Sequence, residues 1–142
     1  MLHLIKLCVG ADSIADLERW IGFRLRQKAS QGLAPEQVHT TRMTPRRVSE
    51  LLDGGSLYWV IKGTIQCRQQ LNDIRPFVDE EGIGRCHLVL EPVVEPVVPR
   101  PRGPFQGWRY LDSTDAPPDL KTGEGGDLPQ ELQQELASLG LL

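Results

Sequence analysis

Three Trp, two Tyr and three Phe are all the aromatic residues in a chain of 142, so a stretch that gathers several of them calls for an explanation. Cysteine is equally scarce. Cys8, Cys67 and Cys86 are odd in number, far apart, and each sits inside an apolar or strand-like run; this excludes a disulfide framework and fits core thiols of a reduced, cytoplasmic protein. No apolar run reaches the roughly 18 residues of a spanning helix, and the opening MLHLIKLCVG, broken by His3 and Lys6, is too short for a signal peptide. A soluble protein without a membrane partner is expected. Complete catalytic signatures are also missing: there is no phosphate-loop glycine motif, no serine nucleophile elbow and no kinase or dinucleotide fingerprint. His3, His39 and His87 are scattered, and Cys86 and His87, as neighbours on a strand, point to opposite faces. No metal site or cofactor is expected, and a cysteine nucleophile would need His87 carried across a sheet to Cys67.

What is present is one ordinary domain's length of chain with an uneven charge. The net charge of −3 hides the distribution. Residues 1–110 hold 15 Lys/Arg against 12 Asp/Glu, a net of +3, whereas residues 111–142 hold one Lys against seven acids. The division expected is a single α+β domain over 1–120 followed by an acidic linker and an amphipathic helix over 121–142.

LHLIKLCVG reads as a buried opening strand. A helix follows in DSIADLERWIGFRLRQKA, with Asp12 or Ser13 as N-cap, Asp16 in capping-box position, and Ile14, Leu17, Ile21 and Leu25 at helical spacing. VHTTRMT predicts a second strand. In TPRRVSELLDGG, Thr44 reads as the cap and Pro45 as the first residue of a short helix that Gly54 and Gly55 close. SLYWVIKGTIQCRQ reads as one strand with Leu57, Trp59, Ile61, Ile65 and Cys67 on one face and Tyr58, Val60, Lys62, Thr64, Gln66 and Arg68 on the other. QQLNDIRPF predicts a short helix or turn ended by Pro76, and VDEEGIG an acidic surface turn. RCHLVLEPVVEPVVPR is extended, its later half confined by Pro92, Pro96 and Pro99 to an edge strand or a polyproline-like arm. FQGWRYL predicts a last strand, and LPQELQQELASLGLL a leucine-faced helix. The order of elements favours a small curled sheet, mixed or antiparallel, with flanking helices.

Three constellations carry chemistry. A row of Lys62, Thr64, Gln66 and Arg68 on a strand face implies that this side looks into water or a polar cleft. RPRGPFQGWRYL interleaves Arg100, Arg102 and Arg109 with Phe105, Trp108 and Tyr110, which suits stacking on unpaired bases while neutralising phosphates, or alternatively a closing core strand with surface arginines. TRMTPRRV places Arg42, Arg46 and Arg47 at a helix start, where free N–H groups favour anions.

GGSLYWVIKGTIQCRQ, IGRCHLVLEP, RGPFQGWRYL and DAPPDL together resemble, along nearly the whole chain, a bacterial family known only as a domain of unknown function. Over about thirty residues, TPRRVSELLDGG followed by a strand ending IQCR is similar to the ASCH domains of the PUA-like superfamily. Gln66 stands where that family has a glutamate, and the lysine is displaced to Lys62. That likeness implies a small PUA-like β-barrel with flanking helices whose cleft reads RNA or a modified base. It also implies, for some members, amidohydrolase chemistry on modified nucleosides, for which Lys62 and Thr64 would supply two groups and Glu91 the acid.

The favoured expectation is an RNA- or nucleotide-binding module using Arg42, Arg46, Lys62, Gln66, Arg68, Arg100, Arg102, Trp108 and Arg109. The alternative is a small hydrolase using Lys62, Thr64 and Glu91. A third reading is an interaction protein whose C-terminal helix docks on a partner or on its own domain.

Overall fold

The computed structural model describes residues 1–120; the linker and helix expected over 121–142 lie outside the described residues. Strand β1 (Leu2–Leu7) leads into helix α1 (Ile14–Ser30). The Ser13 hydroxyl accepts from the Asp16 amide at 3.1 Å, and the Asp16 carboxylate accepts from the Asp12 amide at 3.0 Å. This is the expected capping box with its return arm one residue earlier than usual. Ile14, Leu17 and Ile21 are buried against the sheet, and Arg19, Arg24 and Arg26 are exposed.

Six more strands and one short helix follow: β2 (Gln37–Thr41), α2 (Val48–Leu51), β3 (Ser56–Ile61), β4 (Thr64–Val78), β5 (Gly84–Leu90), β6 (Glu95–Pro101) and β7 (Trp108–Asp112). They form one mixed sheet in the order β2-β5-β4-β3-β1-β7, with β6 also paired to β4. Only β1 and β3 run parallel, joined by the crossover that contains both helices. The path ends at β2 on one side and β7 on the other, so the sheet is open and no barrel closes. β4 is the spine. Its first part pairs with β3 and β6, and its second part, from Leu71 to Val78, pairs with β5.

Three local expectations are corrected. The stretch SLYWVIKGTIQCRQ is a hairpin, not one strand: Lys62 and Gly63 take φ of 50° and 75° between the paired residues Ile61 and Thr64. Two positive φ values in a two-residue loop are the type I′ turn, whose twist matches the flanking strands. The four-residue α2 starts after Arg47, which makes no side-chain cap, while Pro45 is buried in the preceding loop. The segment QQLNDIRPF is β-strand throughout, Pro76 included. Proline fits there because residues 71–78 of β4 pair only with β5, which leaves one backbone edge with no ladder to break.

A β-bulge then sets the two cores. Trp59 pairs with Cys67 but Val60 with Ile65, so Gln66 is the extra residue. The side chains on either side of it therefore change faces. Cys67 joins Leu4, Leu17, Leu57, Trp59 and Ile61 beneath the helices, whereas Ile65 joins Ile5, Tyr58, Val60 and Val97 on the opposite face. All six residues of β3 are buried, which explains its unbroken apolar run. The second core is covered by Leu111 of β7 and by Phe105 and Ala116 from the connections that lead into and out of that strand.

Candidate functional site

The polar row expected on one strand face does not exist as such. Lys62 is exposed at the hairpin tip and Thr64 begins the returning strand. Gln66 is buried at the bulge, 4% exposed, and its side-chain amide donates to the Ile61 carbonyl at 2.8 Å. Arg68 lies further along, gripping Asp119 through two bonds of 2.8 Å and donating to the Ser56 hydroxyl at 3.0 Å. That pair raises the guanidinium's pKa and lowers the carboxyl's, chiefly through the hydrogen bonds between them. Glu91 is remote from both Lys62 and Thr64. Its amide donates to the carbonyl of Gln70, six residues beyond Thr64, or roughly 20 Å along the strand at about 3.3 Å per residue. Its carboxylate accepts from Asn72. The three groups named for hydrolysis are therefore not gathered into one site.

The helix start in TRMTPRRV offers no free anion cradle. The amides of Arg46 and Arg47 both donate to the Tyr110 hydroxyl, at 2.9 and 3.3 Å, and the Trp108 indole donates to the Met43 carbonyl at 2.8 Å. Trp108 and Tyr110, edge to face at 4.9 Å, tie this loop to β7. Arg47 is paired with Glu50, while the side chains of Arg42 and Arg46 are exposed. Trp108 is thus a clamp on the helix side of the sheet and not a free stacking surface.

The ring among the arginines is Phe105. The guanidinium of Arg102 lies 4.9 Å from its centroid and that of Arg109 5.5 Å, from the two ends of the connection between β6 and β7. The Arg102 amide donates to the Gly63 carbonyl at 2.8 Å, which fastens this connection to the hairpin tip that carries Lys62. Arg100 pairs opposite Ile65 on the same strand end and donates to the Asp115 carbonyl. Lys62, Arg100, Arg102 and Arg109 are all exposed, and none makes an ion pair among the described residues. Arg19, Arg47, Arg68, Arg75 and Arg85, by contrast, each face a carboxylate. One end of the sheet is therefore a cationic surface without ion-pair partners among the described residues, and the half-buried ring of Phe105 lies beneath two of its arginines.

Phe105 stood in the stretch that drew attention, but Trp108 was the ring expected among the binding residues. Only the return of the chain over the second core shows which ring the arginines reach. A second polar cleft of about 570 Å³ was also not foreseen: it brings Arg68, Asp119, Ser56 and Tyr58 against His3. His3 Nδ1 accepts from the Ser56 amide at 3.0 Å. Burial, then the N-terminal amine and Arg68, push its pKa below the ordinary histidine value.

A family model described as "Protein of unknown function (DUF1489)" matches residues 4–142. The chain belongs to this family. The match takes in every strand of the family member's sheet, except the first two residues of β1, and both helices. Searches of curated proteins and of solved structures returned no match. Among the described residues no helix is long and apolar enough to cross a membrane.

Proposed function

We propose that the protein is a nucleic-acid-binding module that grips the phosphate backbone of RNA with the cationic end of its sheet. The observation that carries this reading is the pair Arg102 and Arg109 over Phe105, with exposed Lys62 and Arg100 on the adjoining hairpin tip and strand end and no carboxylate partner for any of the four among the described residues. Arginine suits the role because its fork binds phosphate oxygens in pairs, and stacking on a ring fixes the guanidinium plane before binding. Arg42 and Arg46, on the loop that Trp108 and Tyr110 hold to the other face of β7, extend the cationic surface around that edge. Gln66 and Arg68 take no part: one is buried in the bulge and the other is committed to Asp119. The likeness to ASCH domains adds RNA as the preferred nucleic acid, with an open sheet in place of their barrel.

The test is titration with single-stranded and structured RNA at two or more salt concentrations. Each phosphate contact adds roughly 0.7 to the slope of log affinity against log salt for a single strand. Replacing Arg102 and Arg109 together by alanine should weaken binding on every sequence alike and reduce that slope by roughly 1.4. Absence of binding at low salt, or binding indifferent to salt, would refute the reading.

A further inference from the structure

On the face of the sheet that carries the second core, three neighbouring strands bring polar side chains together. Ile5 of β1 pairs with Tyr58 of β3, and Tyr58 pairs with Arg68 of β4. His3, two residues before Ile5, shares that face. The His3 and Tyr58 rings meet edge to face at 5.0 Å. With Arg68 they line the cleft of about 570 Å³ beside Ser56, a volume within the usual range for small-molecule sites.

The other wall is the segment that follows β7, which contributes Ala116, Pro117, Pro118 and Asp119. It is held down by the sheet. The Val98 amide donates to the Pro118 carbonyl at 2.8 Å, the Leu120 amide donates to the Pro96 carbonyl at 3.0 Å, and Asp119 forms a bridge with Val97. The cleft is therefore formed in advance, which lowers the ordering cost of binding.

The hydrogen-bonding atoms left over on its floor decide what it can hold. His3 and Tyr58 are each 5% exposed. His3 Nδ1 accepts from the Ser56 amide, so the neutral ring carries its proton on Nε2, and burial favours the neutral ring by lowering its pKa. Burial likewise raises the Tyr58 pKa, so its hydroxyl keeps its proton. Neither His3 Nε2 nor the Tyr58 hydroxyl has a hydrogen-bond partner among the described residues, where His39 Nε2 is the only buried side-chain polar atom both sealed and unpartnered. Both atoms therefore open on the cleft. Arg68 gives Nε and one proton of Nη2 to Asp119 and one proton of Nη1 to Ser56, which leaves a second N–H on each Nη. The floor thus offers hydrogen-bond donors and a positive charge that Asp119 already shares.

We infer that this cleft binds a small aliphatic carboxylic acid as its carboxylate. The carboxylate oxygens accept from His3 Nε2, the Tyr58 hydroxyl and the spare Arg68 N–H groups, and the short chain lies along Ala116 and the two prolines. A planar head of single charge fits better than phosphate, because the guanidinium is shared with Asp119 and a second negative charge would go unanswered. None of these side chains belongs to the cationic end of the sheet, so this inference and the RNA reading stand or fall separately.

Calorimetric titration of the full chain with butyrate, and with inorganic phosphate as the competing oxyanion, tests it. Butyrate is expected to bind with a Kd of about 1 mM or below, and phosphate at least about tenfold more weakly. Tyr58→Phe removes a hydroxyl that has no partner among the described residues and keeps the ring in the second core, so this variant should fold as the parent does. It should bind butyrate about tenfold more weakly, roughly 1.4 kcal/mol, and Arg68→Gln should lose at least as much. In the parent protein, saturating butyrate should also shift the His3 ring resonances in NMR spectra. Neither heat nor shift with butyrate at roughly 50 mM, binding that neither substitution alters, or phosphate binding as tightly as butyrate would overturn the inference.

Discussion

Gly55 stands where a β-carbon would lie 2.3 Å from the carbonyl oxygens of both Leu2 and Leu51. Backbone atoms cannot swing aside as a side chain can, so Gly55→Ala should cost about 3 kcal/mol or more in urea unfolding. Lys62 poses the milder case of a side chain held at positive φ. Lys62→Asn places a residue suited to the type I′ turn there and should add a few tenths to about 1 kcal/mol of stability. The same change removes a proposed phosphate contact, so RNA affinity should fall while the melting temperature rises. His39 offers a third case. Its buried nitrogen lacks a partner among the described residues, so His39→Phe, which keeps a ring and removes the polar atom, should stabilise the free protein by about 1 kcal/mol.

At the scale of elements, the aromatic-rich last strand is a fastener. Tyr110 accepts from two amides of the loop before α2, and Trp108 donates to a third residue of it. Tyr110→Phe removes the acceptor, and since water can replace it at this exposed position the cost should be about 1 kcal/mol. Hydrogen exchange should quicken at the Arg46 and Arg47 amides while those of β3 stay protected. The bulge in β4 is the other decisive element. Deleting Gln66 would remove the bulge and leave Ile65 opposite Val60 and Cys67 opposite Trp59 in regular succession, each still on its native face. Both cores would keep their members, and the prediction is a melting temperature changed by only a few degrees with cooperativity retained, read by calorimetry.

For the whole molecule, stability should decline in two stages as pH falls. His39 and His3 both have folded pKa values below that of the unfolded chain, which therefore binds more protons between the two. Their contribution is complete above about pH 6.5 and is lost on descent, and for His39 the loss reaches about 3 kcal/mol as pH falls toward about 4. The carboxyls of Asp119, Asp73 and Asp79 are also lowered, by hydrogen bonds from arginines. Their contribution is present above the ordinary carboxylate pKa and is lost as pH falls through their folded values. Urea titrations across this range should show the upper stage reduced in His39→Phe and the lower stage unchanged.

Much of this molecule was legible because it is locally encoded. The period of Ile14, Leu17 and Ile21 marks α1, Ser13 and Asp16 mark its start, Gly54 and Gly55 mark the end of α2, and the prolines of β6 mark a strand at the margin of the sheet. The hairpin at Lys62 and Gly63 was also local, but a lysine stands where asparagine or aspartate would have announced the turn. The arginines were visible as a cluster, though the ring they surround was not. Tertiary structure alone decided that β4 serves three partners, that the bulge divides two cores, and that Arg102 and Arg109 meet at Phe105. The physical reason is that hydrogen-bonding periodicity and turn geometry act within a few residues, whereas pairing register and the placement of a returning loop depend on contacts between residues far apart in the chain.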